Sequence, residues 1–354
     1  MAATLHTADS LSALTIAIFT AAGWPRGAAE DLAEHLVLAN LSGHDSHGVG
    51  MIPAYVQSWK DGHLSPGNTP VVRTSAPPFL VVDAQVALGP PAAKATMQQA
   101  IAIAETGGVC IVNLVRAHHI GRIGHYAEMA AARGLIAMLW VNVAGRPSVV
   151  ASHGARESRF GTNPHAIGVP NGETPLILDF ATSRMAHGKA RVAFNKGEAV
   201  PPGYLIDEHG RPTTDPSVVM GERVGSLLPF GDHKGAGIAM IAEILSAGLT
   251  QHGAIIPETP TRSWIINNLF GIVFDPARLD GGGEERARRI ALIADYQRSA
   301  APAEGSDRVR APGDREREVR AERGRDGIPV DAETWRQLMA AAQAVGAEVP
   351  HSMT

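Results

Sequence analysis

Cysteine is almost absent. Cys110 is the only one in 354 residues, so the chain can form no internal disulfide and no cysteine-based zinc site. It sits in the apolar run Gly-Val-Cys-Ile-Val, which reads as a buried strand and not as a reactive thiol. An excess of positive charge is missing too: the formal net charge is −4, which argues against nucleic acid as a partner. Aromatic residues make up only 5%, too few for a base-stacking platform. No apolar run approaches the roughly 18 residues that span a bilayer, and residues 1–10 lack the basic start and apolar core of a secretory signal. The expectation is a cytoplasmic protein that engages neither membrane nor nucleic acid.

Two nucleotide-binding signatures are also absent. Gly48-Val-Gly50 and Gly235-Ala-Gly237 are followed by Met51 and Ile238, and neither supplies the third glycine of G-x-G-x-x-G. No Walker A loop is present. Any dinucleotide must be held by other means.

What remains has the composition of an ordinary globular protein, 45% hydrophobic and 19% charged. Apolar residues at helical spacing predict helices over residues 10–22 and from Pro25 to about Leu41. Short runs rich in β-branched residues predict strands at 79–82, 109–114, 135–142, 166–169 and 176–180, with helices over 91–106 and 124–133 between the first of them. Residues 201–216, rich in Pro, Gly, Asp and Thr, read as a long loop. Residues 234–249 read as a helix that buries Ile238, Ile241, Ile244 and Leu245. Residues 284–325 carry many Arg, Glu and Asp, read as a solvated helix and a loop. The pattern divides into a helical region over 1–75, an α/β region over 76–280, and a charged helical region over 281–354 that packs back on the core.

Chemistry concentrates in Gly-His-Asp-Ser-His-Gly at 43–48, at the end of the second helix. It places two imidazoles, a carboxylate and a hydroxyl between glycines. Further histidines lie at His118, His119 and His125, and at His233 beside Lys234. His44 and His47, three apart, could begin a metal site for a hydrolase or lyase, but nothing supplies the remaining ligands. Acid/base work is the alternative, because an imidazole titrates near pH 6.5 and a carbonyl being reduced needs a proton donor beside its oxygen.

Several segments in one order resemble the type 2 malate/L-lactate dehydrogenase family: GHDSHG at 43–48, His118-His-Ile-Gly-Arg-Ile-Gly124, Phe160-Gly-Thr-Asn-Pro164, Leu178-Asp-Phe-Ala-Thr-Ser183 and His233-Lys-Gly235. A branch of that family also shares the Val-Pro-Pro-Gly loop at 200–203 and Pro312-Gly313 ahead of an arginine-rich helix. The resemblance implies a non-Rossmann α/β fold whose central sheet is largely antiparallel and flanked by helices. It further implies a homodimer that uses NAD or NADP to interconvert 2-oxo and 2-hydroxy acids. It assigns the proton to His47 with Ser46 in relay, and makes His119 a second catalytic candidate. The dinucleotide would be met by His47, by Gly121, Arg122 and Ile123, by Leu178, Asp179, Phe180, Ala181 and Thr182, by Lys234 and Asn267, and by Pro312, Gly313, Asp314 and Arg315.

Two positions depart from the family pattern. Met51 stands where many members have an arginine for the substrate carboxylate, so that anchor falls to another cation, with Arg122, Arg146, Lys189 and Lys234 available. Its apolar side chain suggests a bulkier or aromatic 2-oxo acid. Lys189 stands where imino-acid reductases have an acidic residue, which points away from an imine. A catalytically silent dinucleotide-binding relative is the remaining alternative.

Overall fold

The computed structural model describes residues 3–220, 224–262, 264–280 and 283–349. The apolar runs of the middle of the chain become strands of one seven-stranded sheet. Its order is Val71–Ala76, Phe79–Asp83, Val109–His118, Ile266–Phe274, Ile136–Ala144, His165–Val169 and Leu176–Phe180. Neighbours run antiparallel throughout, except that Phe79–Asp83 is parallel to Val109–His118. A parallel pair needs a crossover, and the Gly89–Gly107 helix provides it. The sheet is therefore largely antiparallel and flanked by helices, as expected, and is not a doubly wound nucleotide fold. The Ile266–Phe274 strand escapes the sequence reading. It enters late and fills the middle of the sheet, pairing with both Val109–His118 and Ile136–Ala144.

Burial follows from that order. Met97 and Ile101 on one helix, with Tyr126 and Ala130 on the Gly124–Ala131 helix, pack on Leu80, Val112, Leu139, Val141 and Leu269. Each fully buried large apolar side chain contributes roughly 1.5–3 kcal/mol. A second core lies among the helices Ala8–Ala21, Arg26–Leu41 and Ile52–Lys60, from Leu11, Ile18, Phe19, Leu32, Leu36 and Tyr55. The C-terminus completes it: Ile328–Val330 pairs antiparallel with Thr4–His6, and Leu338 and Ala342 enter the same core. The chain ends thus close the N-terminal helical layer. Cys110 is fully buried in its strand, and burial pushes its thiol up to about 11.

Three expectations need correction. Residues 201–216 are not all loop, since Leu205–Ile206 and Pro212–Thr213 pair in a second sheet of five short strands. Two-residue strands are too short to show a period. The helix after residue 233 forms, as His233–Glu243 with a π-helical turn at Ile244–Gly248, but its isoleucine face is not the buried one. Ile241 and Ile244 are 49% and 41% exposed, whereas Gly235, Ala239, Ala242 and Glu243 face inward. Close approach decides this: a Cβ on Gly235 would collide with the Phe230 carbonyl. Finally, the charge of Asp314–Asp326 is not merely solvated, because this helix binds the 43–48 turn.

Glu243 ends in a buried network. Its carboxylate accepts from Asn142 Nδ2 at 2.9 Å, Ile255 N at 2.6 Å and Asn163 Nδ2 at 2.9 Å. Asn163 Oδ1 accepts from Val143 N at 3.1 Å, which locks the 160–164 turn to the sheet. Asn163→Ala strands several of these groups, so it should lower stability by about 2–4 kcal/mol, read as the shift in urea-unfolding free energy. A loss under about 0.5 kcal/mol would mean that water replaces the amide.

Candidate active site

The Arg26–Leu41 helix ends at Ser42, and Asn40 then shapes the motif turn from within. Its Oδ1 accepts from Val49 N at 2.8 Å and its Nδ2 donates to Asp45 Oδ1 at 2.7 Å. A Cβ at position 48 would overlap the Asn40 amide, so glycine is required there. From outside, the Asp314–Asp326 helix grips the same turn. Arg323 donates to both Asp45 carboxylate oxygens at 2.7 and 3.0 Å, and Glu316 meets His44 Nε2 at 3.2 Å. His44 and Asp45 thereby hold the turn in place, leaving Ser46 and His47 on its inner side.

Ser46 Oγ lies 2.9 Å from His47 Nδ1. Burial, then the charges of His44 and Arg122, lower the His47 pKa to about 4. The His47 ring stacks on that of His119 with centroids 5.6 Å apart and planes 26° from parallel. His119 Nδ1 is 2.7 Å from the Tyr55 hydroxyl. The adjacent His118 turns away, onto Ser58 Oγ at 3.1 Å and toward the Trp264 ring. The two catalytic candidates, 72 positions apart in the chain, therefore stack against each other.

The 118–124 segment is set by its backbone. Asn267 Oδ1 accepts from Ile120 N at 3.0 Å, and His35 Nε2 accepts from Arg122 N at 2.9 Å. Gly121 has φ +74, and a side chain there would collide with the His35 ring. Arg122 is buried between Glu128 at 3.0 Å and Asp179 at 3.2 Å, and Asp179 also accepts from Gly124 N at 3.0 Å. Ile123 is buried and belongs to the central core.

The other expected contacts surround this segment. Leu178 is 39% exposed, and Phe180 packs edge-on against His165 and Phe230. Thr182 Oγ1 donates to the Thr162 carbonyl while its own carbonyl accepts from Phe230 N, one turn before the exposed Lys234. Ala181 is half-buried between them. Pro312 O accepts from Ile177 N, Gly313 has φ +89, and Asp314 is bound by Arg298 and Arg317, with Arg315 exposed. Asn267 reaches the loop from behind, through its amide.

The candidate substrate groups are more scattered. Met51 is half-buried against the N-terminal core. Lys189 is exposed on the His187–Lys196 helix, whose Gly188 abuts Ser46. Arg146 lines a cavity of about 890 Å³ with Arg156, Arg159 and Arg262, and its charge acts on both His118 and His119. Tyr55, His35, Glu128, Glu316, Arg320 and Arg323 belong to the site and were not singled out from the sequence. The arginine-rich helix after Pro312-Gly313 is the signal that covers Glu316, Arg320 and Arg323, but nothing local tells what any of the six would touch, since the fold alone joins them to the site.

A dinucleotide fits the donors present. Arg122 Nη1 is buried without a hydrogen-bond partner among the described residues, a cationic donor suited to an anionic or carbonyl oxygen. For a metal the picture differs: His44 and His47 face different partners, and no group of three or more His, Cys, Asp or Glu is placed to hold an ion among the described residues. Nor is any described helix long and apolar enough to cross a membrane.

Buried neutral imidazoles link the site to pH. Burial first, then the charges of neighbouring groups, holds His35 and His119 well below the ordinary value and His118 at about 4. The unfolded chain takes up these protons near pH 6.5 and the folded chain does not, so stability is lost as pH falls below 6.5. Each histidine costs up to about 1.4 kcal/mol per pH unit until its folded pKa is reached. Urea midpoints should therefore fall steeply from pH 6.5 to 5; a flat profile over that window would contradict the assignment.

The profile of the malate/L-lactate dehydrogenase family matches residues 6–339. Hydroxycarboxylate dehydrogenase B of Escherichia coli K12 is 41% identical over 96% of this chain and 94% of its own length. An L-lactate dehydrogenase of Cupriavidus necator is 40% identical over 92% and 93%. Among solved structures, the sulfolactate dehydrogenase of Methanocaldococcus jannaschii superimposes with a TM-score of 0.85 at 30% identity, covering 98% of each chain. With matches of this extent, the chain belongs to the malate/L-lactate dehydrogenase family of NAD(P)-dependent oxidoreductases.

Proposed function

We propose that this enzyme interconverts a 2-oxo acid and the corresponding 2-hydroxy acid, with His47 exchanging the proton and Ser46 supporting it. The observation that carries this reading is the stacking of His47 on His119, with Ser46 at Nδ1 of His47. Arg122, Gly121, residues 178–182, Lys234 and the 312–315 turn would hold NADH or NADPH, which supplies hydride for the carbonyl carbon when bound. His47 is neutral at pH 7, ready to accept the hydroxyl proton in the oxidising direction. In the reducing direction it must first be protonated, and a substrate carboxylate nearby favours that form. Arg146, whose field reaches His119, is the proposed carboxylate anchor in place of the cation missing at Met51.

The substrate side chain is proposed to be bulky or aromatic, on the strength of the methionine at position 51. The exposed apolar side chains Met240, Ile241 and Ile244 support assembly as a homodimer. Light scattering should then give twice the chain mass, and a monomer at micromolar concentration would sink that part.

The reaction is tested by NADH and NADPH oxidation with phenylpyruvate, hydroxyphenylpyruvate, oxaloacetate and pyruvate. Phenylpyruvate should give the highest kcat/KM, and reduction should slow as pH rises while oxidation holds steady between pH 6 and 8. His47→Ala should cost about 10²–10⁴ in kcat with dinucleotide affinity nearly unchanged. Dinucleotide binding without turnover on any substrate would instead identify a silent relative.

A further inference from the structure

Tyr55 is fully buried on the Ile52–Lys60 helix, four positions beyond Met51, in the core between Phe19 and the 118–119 pair. Its hydroxyl has one hydrogen-bond partner among the described residues, His119 Nδ1 at 2.7 Å. That single contact decides where the hydrogens go. A phenol that accepted from Nδ1–H would leave its own O–H buried with no acceptor, an arrangement folded proteins avoid. A phenol that donates to a bare Nδ1 satisfies both atoms at once.

Burial, ahead of the neighbouring His47 and His118, keeps His119 neutral at pH 7, so its ring has one proton to place. Burial likewise raises the Tyr55 pKa, so the phenol keeps its proton to donate. With Nδ1 taken as acceptor, the proton of His119 sits on Nε2. Nε2 has no hydrogen-bond partner among the described residues and is not a sealed, buried atom.

We propose that Tyr55 is a positioning residue that fixes His119 as its Nε2–H tautomer, so that His119 presents a hydrogen-bond donor to the reacting oxygen and leaves proton exchange to His47. The proposal rests on the reaction proposed above and divides labour between its two histidines. In the oxidising direction the O–H bond of the hydroxy acid breaks and its proton passes to His47. A bound oxidised nicotinamide would take the hydrogen of the adjacent carbon with its electron pair, which balances the step. His119 Nε2–H stays intact throughout and steadies the oxygen as it becomes a carbonyl. An Nε2 that already carries its hydrogen has no lone pair to accept another, and the one basic nitrogen of that ring, Nδ1, is taken by the Tyr55 hydroxyl, which is why the proton acceptor is the other ring.

The tautomer can be read directly on the free protein by long-range ¹H–¹⁵N correlation of ¹⁵N-histidine-labelled enzyme at pH 7.5, with the His119 signals identified by their loss in His119→Gln. The expected result is a non-protonated Nδ1 and a protonated Nε2, in a ratio of at least ~10 to 1. Tyr55→Phe keeps the ring in the core and removes the donor. It should mix the two tautomers and lower kcat about 10-fold or more while KM changes less, with the pH dependence assigned to His47 retained. A wild-type His119 protonated on Nδ1 overturns the proposal, as does a folded Tyr55→Phe protein whose His119 tautomer is unchanged. The wild-type spectrum decides the matter even if the variant does not fold. An inactive protein with Nε2–H on His119 would overturn the proposed reaction and leave the tautomer lock standing. An active one with Nδ1–H would overturn the lock alone.

Discussion

The buried guanidinium of Arg122 is the contact on which the site depends. A charge 3% exposed is tolerated only when it is paired, because desolvating it costs several kcal/mol. Glu128 and Asp179 supply the pairing, and each comes from a different element: the helix behind the loop and the last strand of the sheet. Burial raises the Asp179 pKa by more than Arg122 lowers it. For Glu128 the balance reverses: burial raises it, but Arg122 and Arg320 together pull it below the usual range. Glu128 is thus the firmer partner, and it extends the pairing to Arg320 at 3.0 Å on the Asp314–Asp326 helix. One ion cluster joins the histidine loop, the sheet edge and the chain's end.

That cluster brings the arginines of the Asp314–Asp326 helix to the candidate site. Arg320 reaches Ser42 at 2.8 Å and Arg323 holds Asp45, so the Asp314–Asp326 helix bears on the start of the motif turn and on its middle. Surface ion pairs of this kind contribute little singly. Here several act on one short turn whose inner wall is already stapled by Asn40, and together they orient Ser46 and His47. Closure of the N-terminal core by Ile328, Val330 and Leu338 keeps that helix in place.

Much of the architecture was legible because strands and amphipathic helices write their periods locally. The runs at 109–114, 135–142 and 176–180 became sheet strands, and the helix ends near residues 22 and 41 fell where Gly23 and the motif glycine predicted. The isoleucines of the His233–Glu243 helix misled for a physical reason. Apolarity says that a face avoids water, not which neighbour covers it, and this helix approaches the body of the protein through Gly235, Ala239 and Ala242. The Ile266–Phe274 strand was missed because its amides look polar in sequence; in the fold Asn267 and Asn268 are buried and fully engaged with Asn142 and the 116–120 backbone.

By itself the sequence determined the fold class, the chemistry available and the segments that carry it, because glycine turns, histidine clusters and hydrophobic periods depend on near neighbours in the chain. Only the tertiary structure decided that His47 faces His119 and not His118, that Tyr55 addresses His119 Nδ1, and that Glu316, Arg320 and Arg323 return from the far end to frame the motif. Those partners lie up to 278 residues apart in the chain. No local pattern encodes such contacts; they arise when burial of two separate cores brings distant polar groups to distances at which each must find a partner.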